Sequence, residues 1–220
     1  MNEIQAREGI CRIGRSLFGR GYVHATAGNI SVRLDDGFLI TPTDACLGFL
    51  DPAQLSRMDL QGRQTGGAPA SKTLALHRRI YEAHATLGNV PRCVIHTHST
   101  HCVALTLAEP AGELLPPVTP YFVMKVGHVP VVPYHRPGAP EVASLVADLI
   151  ARYAAQGTRL RAVMLSRLGP NVWHDSPAQA MAVLEELEET AKLWLLARET
   201  PQPLSAQALK DLEQAFGCRW

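Results

Sequence analysis

A mixed or antiparallel sheet covered by helices is the fold class this sequence predicts, and three observations predict it. Helical periodicity and hairpin chemistry alternate along the chain, no regular strand-helix-strand rhythm of a parallel crossover fold runs through it, and nothing repeats. Of its 220 residues 46% are hydrophobic, enough to bury a full core, so one domain over residues 1–220 is the simplest division.

Each element has its own signal. Ile4, Ile10, Ile13, Leu17 and Phe18 recur at roughly helical spacing over residues 3–18, and Gly19 and Gly21 stop that helix. Strands over 29–34 and 38–41 flank Asp35-Asp36-Gly37, which has hairpin-turn chemistry. Ser71 can cap a helix running to about His84, 93–97 reads as a buried strand, and a further helix is expected from Pro140 to about Ala155. Residues 162–165 return as a strand. Ser176-Pro177 then has the cap-plus-first-turn signature, and Met181, Leu184, Leu187, Ala191 and Leu195 stripe one face of a helix before Pro201. The last segment, Ser205 to Phe216, has amphipathic spacing; packing on its own domain is the default expectation, and covering a neighbouring subunit's site is the alternative.

Composition narrows the function classes. Twenty-one basic residues against twenty acidic ones give a formal charge of +1, which offers no electrostatic argument for nucleic acid. The five cysteines, Cys11, Cys46, Cys93, Cys102 and Cys218, lack metal-finger spacing, and the start of the chain lacks an apolar signal core; both point to a reduced, cytoplasmic setting. No apolar stretch approaches the roughly 20 residues needed to cross a bilayer.

The chemistry concentrates in Val94-Ile95-His96-Thr97-His98-Ser99-Thr100-His101. Alternate side chains of a strand share a face, so His96 and His98 would converge at the strand's end while Thr97 points away. Neutral imidazoles are the commonest ligands for zinc and similar ions, and catalytic sites typically combine three protein ligands with an open position. The plainer alternative is a pair of half-buried histidines bonded to backbone carbonyls. Several small polar segments could meet a phosphate. Gly28-Asn29 stands just before a strand, Thr41-Pro42-Thr43-Asp44 offers hydroxyls after the hairpin, and Ser71-Lys72 sits at an expected helix N-terminus. Taken singly, these are explained by a turn, a cap and a solvated lysine.

In order, Gly28-Asn29-Ile30-Ser31, Ile40-Thr41-Pro42-Thr43, Ser71-Lys72 followed by His77, and His96-Thr97-His98-Ser99-Thr100-His101 resemble the class II aldolase/adducin family over about residues 5–200. Within it, the Thr43-Asp44 context, Ser71-Lys72 and Pro133-Tyr134-His135-Arg136-Pro137-Gly138 look most like the branch that decarboxylates 3-oxo-tetronate 4-phosphates. The resemblance implies a three-layered α/β/α domain with a central, mainly antiparallel sheet, in a homotetramer with sites at subunit interfaces. It implies zinc or another divalent ion on His96 and His98, with His101, which follows the pair, either orienting the motif by hydrogen bonding, the role ranked first, or touching substrate. Asn29, Thr43, Ser71 and Lys72 would hold the phosphate of a small phosphorylated sugar acid; His135 and Arg136 could meet its carboxylate, and read equally well as stray charges on a proline-rich surface loop. Thr73 stands at the family's acid/base position, and Tyr121, Lys72 or a metal-bound water are the candidates for returning the final proton; Tyr121 reads equally well as a packing aromatic.

Two departures bear on activity. Sugar-phosphate aldolases of the family carry an acidic residue four before the histidine that matches His77; here that position is Thr73. Retro-aldol cleavage must remove a hydroxyl proton, whereas a 3-oxo acid loses CO2 without a base, so threonine counts against an aldolase and suits a decarboxylase. The family's third metal histidine falls at Leu168 in Ser166-Arg167-Leu168-Gly169-Pro170, and leucine cannot ligate. His77, His128, His135 and His174 are the available imidazoles, none assigned, and Arg167 reads first as an ion-paired arginine and second as a fixed positive charge beside the site. The expected function is metal-dependent decarboxylation of a 3-oxo-tetronate 4-phosphate to dihydroxyacetone phosphate and CO2. The alternatives are a sugar-phosphate aldolase or epimerase of the fuculose phosphate aldolase type, and a non-catalytic adducin-like binding protein that Leu168 would favour.

Overall fold

The computed structural model describes residues 1–108 and 112–220. Helix α1 spans Glu3–Gly19, opened by a capping box in which Asn2 and Gln5 exchange side-chain and backbone bonds. The hairpin follows as β1 (Asn29–Leu34) and β2 (Gly37–Ile40), and two further strands, β3 (Ser56–Asp59) and β4 (Gln64–Gly66), extend the sheet outward. Next come α2 (Leu74–Ala85), β5 (Cys93–His96), α3 (Thr100–Leu105), a π-helical turn over Phe122–Val126 and β6 (Val131–Val132). The chain ends with α4 (Glu141–Ala155), β7 (Ala162–Leu165), β8 (Gly169–His174), α5 (Pro177–Leu196) and α6 (Ala206–Phe216).

The eight strands form one sheet in the order β4-β3-β2-β1-β5-β8-β7-β6, in which every neighbouring pair is antiparallel except β6 and β7. This is the mixed, mainly antiparallel sheet expected. Strand alternation divides the core in two. Ile30, Val32, Cys93, Ile95, Met164 and Val172 face α1 and α5, packing against Ile10, Leu17, Leu184 and Leu187. Val94, Val163, Leu165 and Trp173 face the other way, onto Ile80 and Tyr81 of α2 and Val146 and Ile150 of α4. Helices on both faces make the three layers.

Some local expectations shift. The second helix begins at Leu74 with Thr73 as its cap position, two residues after Ser71. Thr43 N–H donates to Pro69 O and Ser71 N–H to Thr41 O. Those bonds tie the incoming chain to the 41–43 loop, so helical turns start only beyond it. Of the α5 stripe, Leu184, Leu187 and Ala191 are fully buried, while Leu195 is exposed. Helix α6 buries no residue within the chain. The segment after it is anchored instead by Trp220, which stacks on His128 and packs against Phe122. Among the described residues no helix is long and apolar enough to cross a membrane, and all five cysteines are free.

Candidate active site

The site starts from one row across three strands. Asn29 of β1 pairs in register with His96 of β5, and His96 pairs with Asn171 of β8. Directly opposed residues of an antiparallel sheet project from the same face, here the face covered by α2 and α4. All three are buried.

His96 is fixed by its neighbour strand. A backbone carbonyl can only accept, so the 2.9 Å contact between His96 Nδ1 and Pro170 O places the hydrogen on Nδ1 and leaves the Nε2 lone pair free. Burial, and secondly the charge His98 would carry, pushes the His96 imidazole down to about 4. His98 is also lowered, by burial first and then by His24. Both rings therefore hold the neutral form that ligates at neutral pH.

His98 arrives by a different route from the one the alternation predicts. The strand ends at His96, where pairing with β1 and β8 runs out, and His98 lies in the segment leading to α3. Its ring nevertheless meets that of His96, with centroids 5.0 Å apart and planes at 67°. Two glycines allow the close packing. At Gly28 (φ +84°) a Cβ would stand 2.8 Å from the His96 carbonyl oxygen, and at Gly169 (φ +131°) one would stand 1.9 Å from that of Thr97.

Around the pair lies a cavity of about 310 Å³, lined by Asn29, Thr43, Ser71, Lys72, Thr73, His96, His98, Arg136, Leu168 and Asn171, together with Gly28, the exposed Asp44 and apolar residues of α4. That volume sits at the lower end of small-molecule sites, which run from roughly 300 to 1,000 Å³. The four residues expected to hold a phosphate thus share one cavity, although they come from three separate segments. Among the described residues Lys72 has no carboxylate within salt-bridge distance, and the hydroxyls of Ser71 and Thr73 lie 2.9 Å apart.

Other expected residues lie elsewhere. Tyr121 is 59% exposed and does not line the cavity. His135 also stays outside it, its Nδ1 donating to Pro133 O, while Arg136 beside it faces in. His101 donates from Nδ1 to Glu188 Oε1 at 2.8 Å. Glu188, buried on α5, also accepts the backbone N–H groups of His101 and Cys102. That carboxylate therefore caps the first turn of α3 and fixes the chain just after the histidine pair. Arg167 is not ion-paired among the described residues; it is exposed, at φ +63°, and its guanidinium donates to Leu107 O.

The pair fits the start of a divalent-ion site, with neutral rings, one defined tautomer and a shared cavity. No third ligand of the usual kind joins it, since no group of three or more His, Cys, Asp or Glu side chains suited to a metal occurs among the described residues. Leu168 lines the cavity where the third histidine was expected. Of the seven other imidazoles, the four singled out from the sequence do not line it, although His77 Nε2 is buried without a partner. His77 Nδ1 lies 2.8 Å from Ser31 Oγ, His128 is stacked on Trp220, His135 holds Pro133, and His174 accepts from Asp175 N–H.

Asn171 was not singled out from the sequence. It is fully buried, lines the cavity, and has no hydrogen-bond partner for either its side-chain oxygen or its nitrogen. An unpartnered buried polar group costs about 1–3 kcal/mol. The local signal, Gly169-Pro170-Asn171, reads as a turn, and only pairing with β5 on one side and β7 on the other makes it a strand.

A family model described as Class II Aldolase and Adducin N-terminal domain matches residues 8–195. The chain is 54% identical to a 3-oxo-tetronate 4-phosphate decarboxylase of Cupriavidus necator, over 99% of each chain. It is 40% identical to one of Pectobacterium atrosepticum, over 96% of this chain and 94% of the other. Among solved structures, that of YgbL from Klebsiella pneumoniae superposes with a TM-score of 0.85 at 39% identity, covering 96% of this chain and 99% of that one.

Proposed function

The chain belongs to the class II aldolase and adducin family, and from that premise we infer that it is a carbon-carbon lyase that decarboxylates a 3-oxo-tetronate 4-phosphate to dihydroxyacetone phosphate and CO2. The observation that carries this reading is the meeting of a neutral histidine pair and a phosphate-type polar set in one cavity, with a threonine where an aldolase needs its base.

Asn29, Thr43, Ser71 and Lys72 would bind the phosphate, and the Lys72 ammonium would supply the opposing charge. Holding that end fixes the distance from the phosphate to the reacting carbons, so the C1–C2 bond stays beside His96 and His98. Arg136, on the α4 side of the cavity, could meet the carboxylate before it leaves. His96 and His98 would hold a divalent ion, zinc among them, which when bound supplies Lewis-acid polarisation of the 3-oxo oxygen. The C1–C2 bond breaks with its electron pair passing to C2 and the 3-oxo group. CO2 departs, and a proton added at C2 completes dihydroxyacetone phosphate. No step removes a hydroxyl proton, so Thr73 is chemically sufficient.

A homotetramer and a cytoplasmic setting belong to the same reading. Exposed Leu193 and Leu196 at the end of α5 and Phe216 on α6 support subunit contact, and five free cysteines support a reducing compartment. Light scattering should give the mass of four chains; a monomer at working concentration would remove the interface part of the reading.

The deciding experiment supplies a 3-oxo-tetronate 4-phosphate and follows CO2 and dihydroxyacetone phosphate together, beside a parallel incubation with a ketose 1-phosphate. Stoichiometric CO2 and triose phosphate from the first alone are expected. Aldehyde release from the second alone would make the protein an aldolase, and inertness toward both would favour a binding protein.

A further inference from the structure

We propose that the side-chain oxygen of Asn171 is the third protein donor to the divalent ion held by His96 and His98, taking over what Leu168 cannot supply. The inference rests on the reading that the histidine pair binds a metal, and it goes beyond it by assigning a residue and a donor type.

Four observations lead there. Asn171 stands directly opposite His96 in the β5–β8 register, and opposed residues of an antiparallel pair have Cβ atoms only about 5 Å apart. The His96 ring is drawn toward β8 by its bond to Pro170 O, which brings it to the side of the sheet from which Asn171 projects. Asn171 lines the same cavity as both histidines. Finally, both of its polar atoms are buried without a partner, so its oxygen is available whichever way the amide is turned.

Structure alone gives no reason for this residue. Asparagine is disfavoured within strands, and the next two positions, Val172 and Trp173, are fully buried and apolar. A leucine or valine at 171 would leave no polar atom unsatisfied. A carboxamide oxygen is, however, an established donor to hard divalent cations. It would give a set of two nitrogens and one oxygen with room for substrate oxygens in the remaining positions. Asn29 flanks His96 on the other side and also has an unpartnered oxygen, but it adjoins Gly28 and stands on the strand away from which the ring is drawn. An oxygen donor in place of a third imidazole also narrows the advantage of zinc over manganese.

The test is direct binding of Mn2+, followed by the electron paramagnetic resonance of free ion, to wild type, Asn171→Leu, Asn171→Asp and His96→Ala, without substrate. Losing a partner that merely orients a ligand weakens metal binding by about 10–100-fold, so Asn171→Leu should weaken Mn2+ by at least about tenfold. Asn171→Asp, which keeps an oxygen and adds charge, should bind at least as tightly as wild type, and His96→Ala should not bind. Thermal unfolding supplies a second readout. Ion-free Asn171→Leu should melt at or above wild type because two unsatisfied atoms are gone, and Mn2+ should raise the Tm of wild type far more than that of the leucine variant.

Wild-type Mn2+ affinity in Asn171→Leu, with binding lost in His96→Ala, would overturn the assignment while leaving the metal reading intact, and would make Asn171 a contact to the organic substrate. Weaker binding by Asn171→Asp would also overturn it, even if the leucine variant failed to fold. Absence of binding by wild type to both Mn2+ and Zn2+ would remove this inference and the metal reading together.

Discussion

The carbonyl oxygen of Pro170 accepts the Nδ1 hydrogen of His96 at 2.9 Å, and this bond joins the histidine run to β8, two of the segments that carry the site. It fixes the imidazole tautomer, turns the ring toward β8, and makes the histidine run depend on the chain around Gly169.

That dependence predicts a large effect at Gly169. An alanine Cβ there would lie 1.9 Å from the Thr97 carbonyl oxygen, with φ at +131°, so Gly169→Ala must displace the chain between His96 and His98. A loss of about 3 kcal/mol or more is expected, read from urea unfolding, along with loss of CO2 release. A variant of wild-type stability would show that the backbone here gives way freely.

Lys72→Met should separate binding from chemistry. Removing one charge-assisted hydrogen bond of about 1.5–3 kcal/mol raises KM by on the order of ten- to a hundredfold. Inhibition by inorganic phosphate should weaken in parallel, with a smaller change in kcat. An unchanged KM would place the phosphate elsewhere in the cavity.

Glu188→Ala should destabilise the protein although the residue does not line the cavity. The substitution removes the acceptor for His101 Nδ1 and for two backbone N–H groups at the start of α3. One buried donor, Cys102 N–H, and two part-buried ones on His101 left unmet predict a drop of about 2–4 kcal/mol. Glu188→Gln, which keeps one oxygen acceptor, should recover part of it. Equal melting temperatures for Glu188→Ala and wild type would contradict this role.

Stability should fall on the acid side through His77. Burial, with a smaller contribution from His96, lowers its imidazole from 6.5 to about 3. Between those values the unfolded chain binds a proton that the folded chain refuses, so stability is full above pH 6.5 and declines as pH falls toward 3. Each pH unit in that window costs up to about 1.4 kcal/mol. Denaturant melts of ion-free protein at pH 7, 6 and 5 should show a shallower decline in His77→Gln; an identical slope would assign the effect to the other buried histidines.

Much of the fold was legible because its signals are local. Apolar spacing marks α1, α4 and α5, and Asp35-Asp36-Gly37 marks the first hairpin, since both depend on side chains a few residues apart. Ser56–Asp59 and Gln64–Gly66 carry no such pattern; they become β3 and β4 by pairing with β2 and with each other. Ser71 looked like a cap, but its backbone is held by Thr41, thirty residues earlier, and the helix waits until Leu74.

The sequence by itself determined the chemistry available here: two histidines two residues apart, a scattered set of phosphate-type side chains, a threonine in place of a base and a leucine in place of a ligand. Only the tertiary structure decided which of these meet. It brought Asn29, Thr43, Ser71, Lys72 and Arg136 to the histidine cavity, left Tyr121 and His135 outside it, and set Asn171 opposite His96. The physical reason is that spacing along the chain governs helices and turns, whereas the neighbours of a strand residue are fixed by register with segments as distant as β1 and β8.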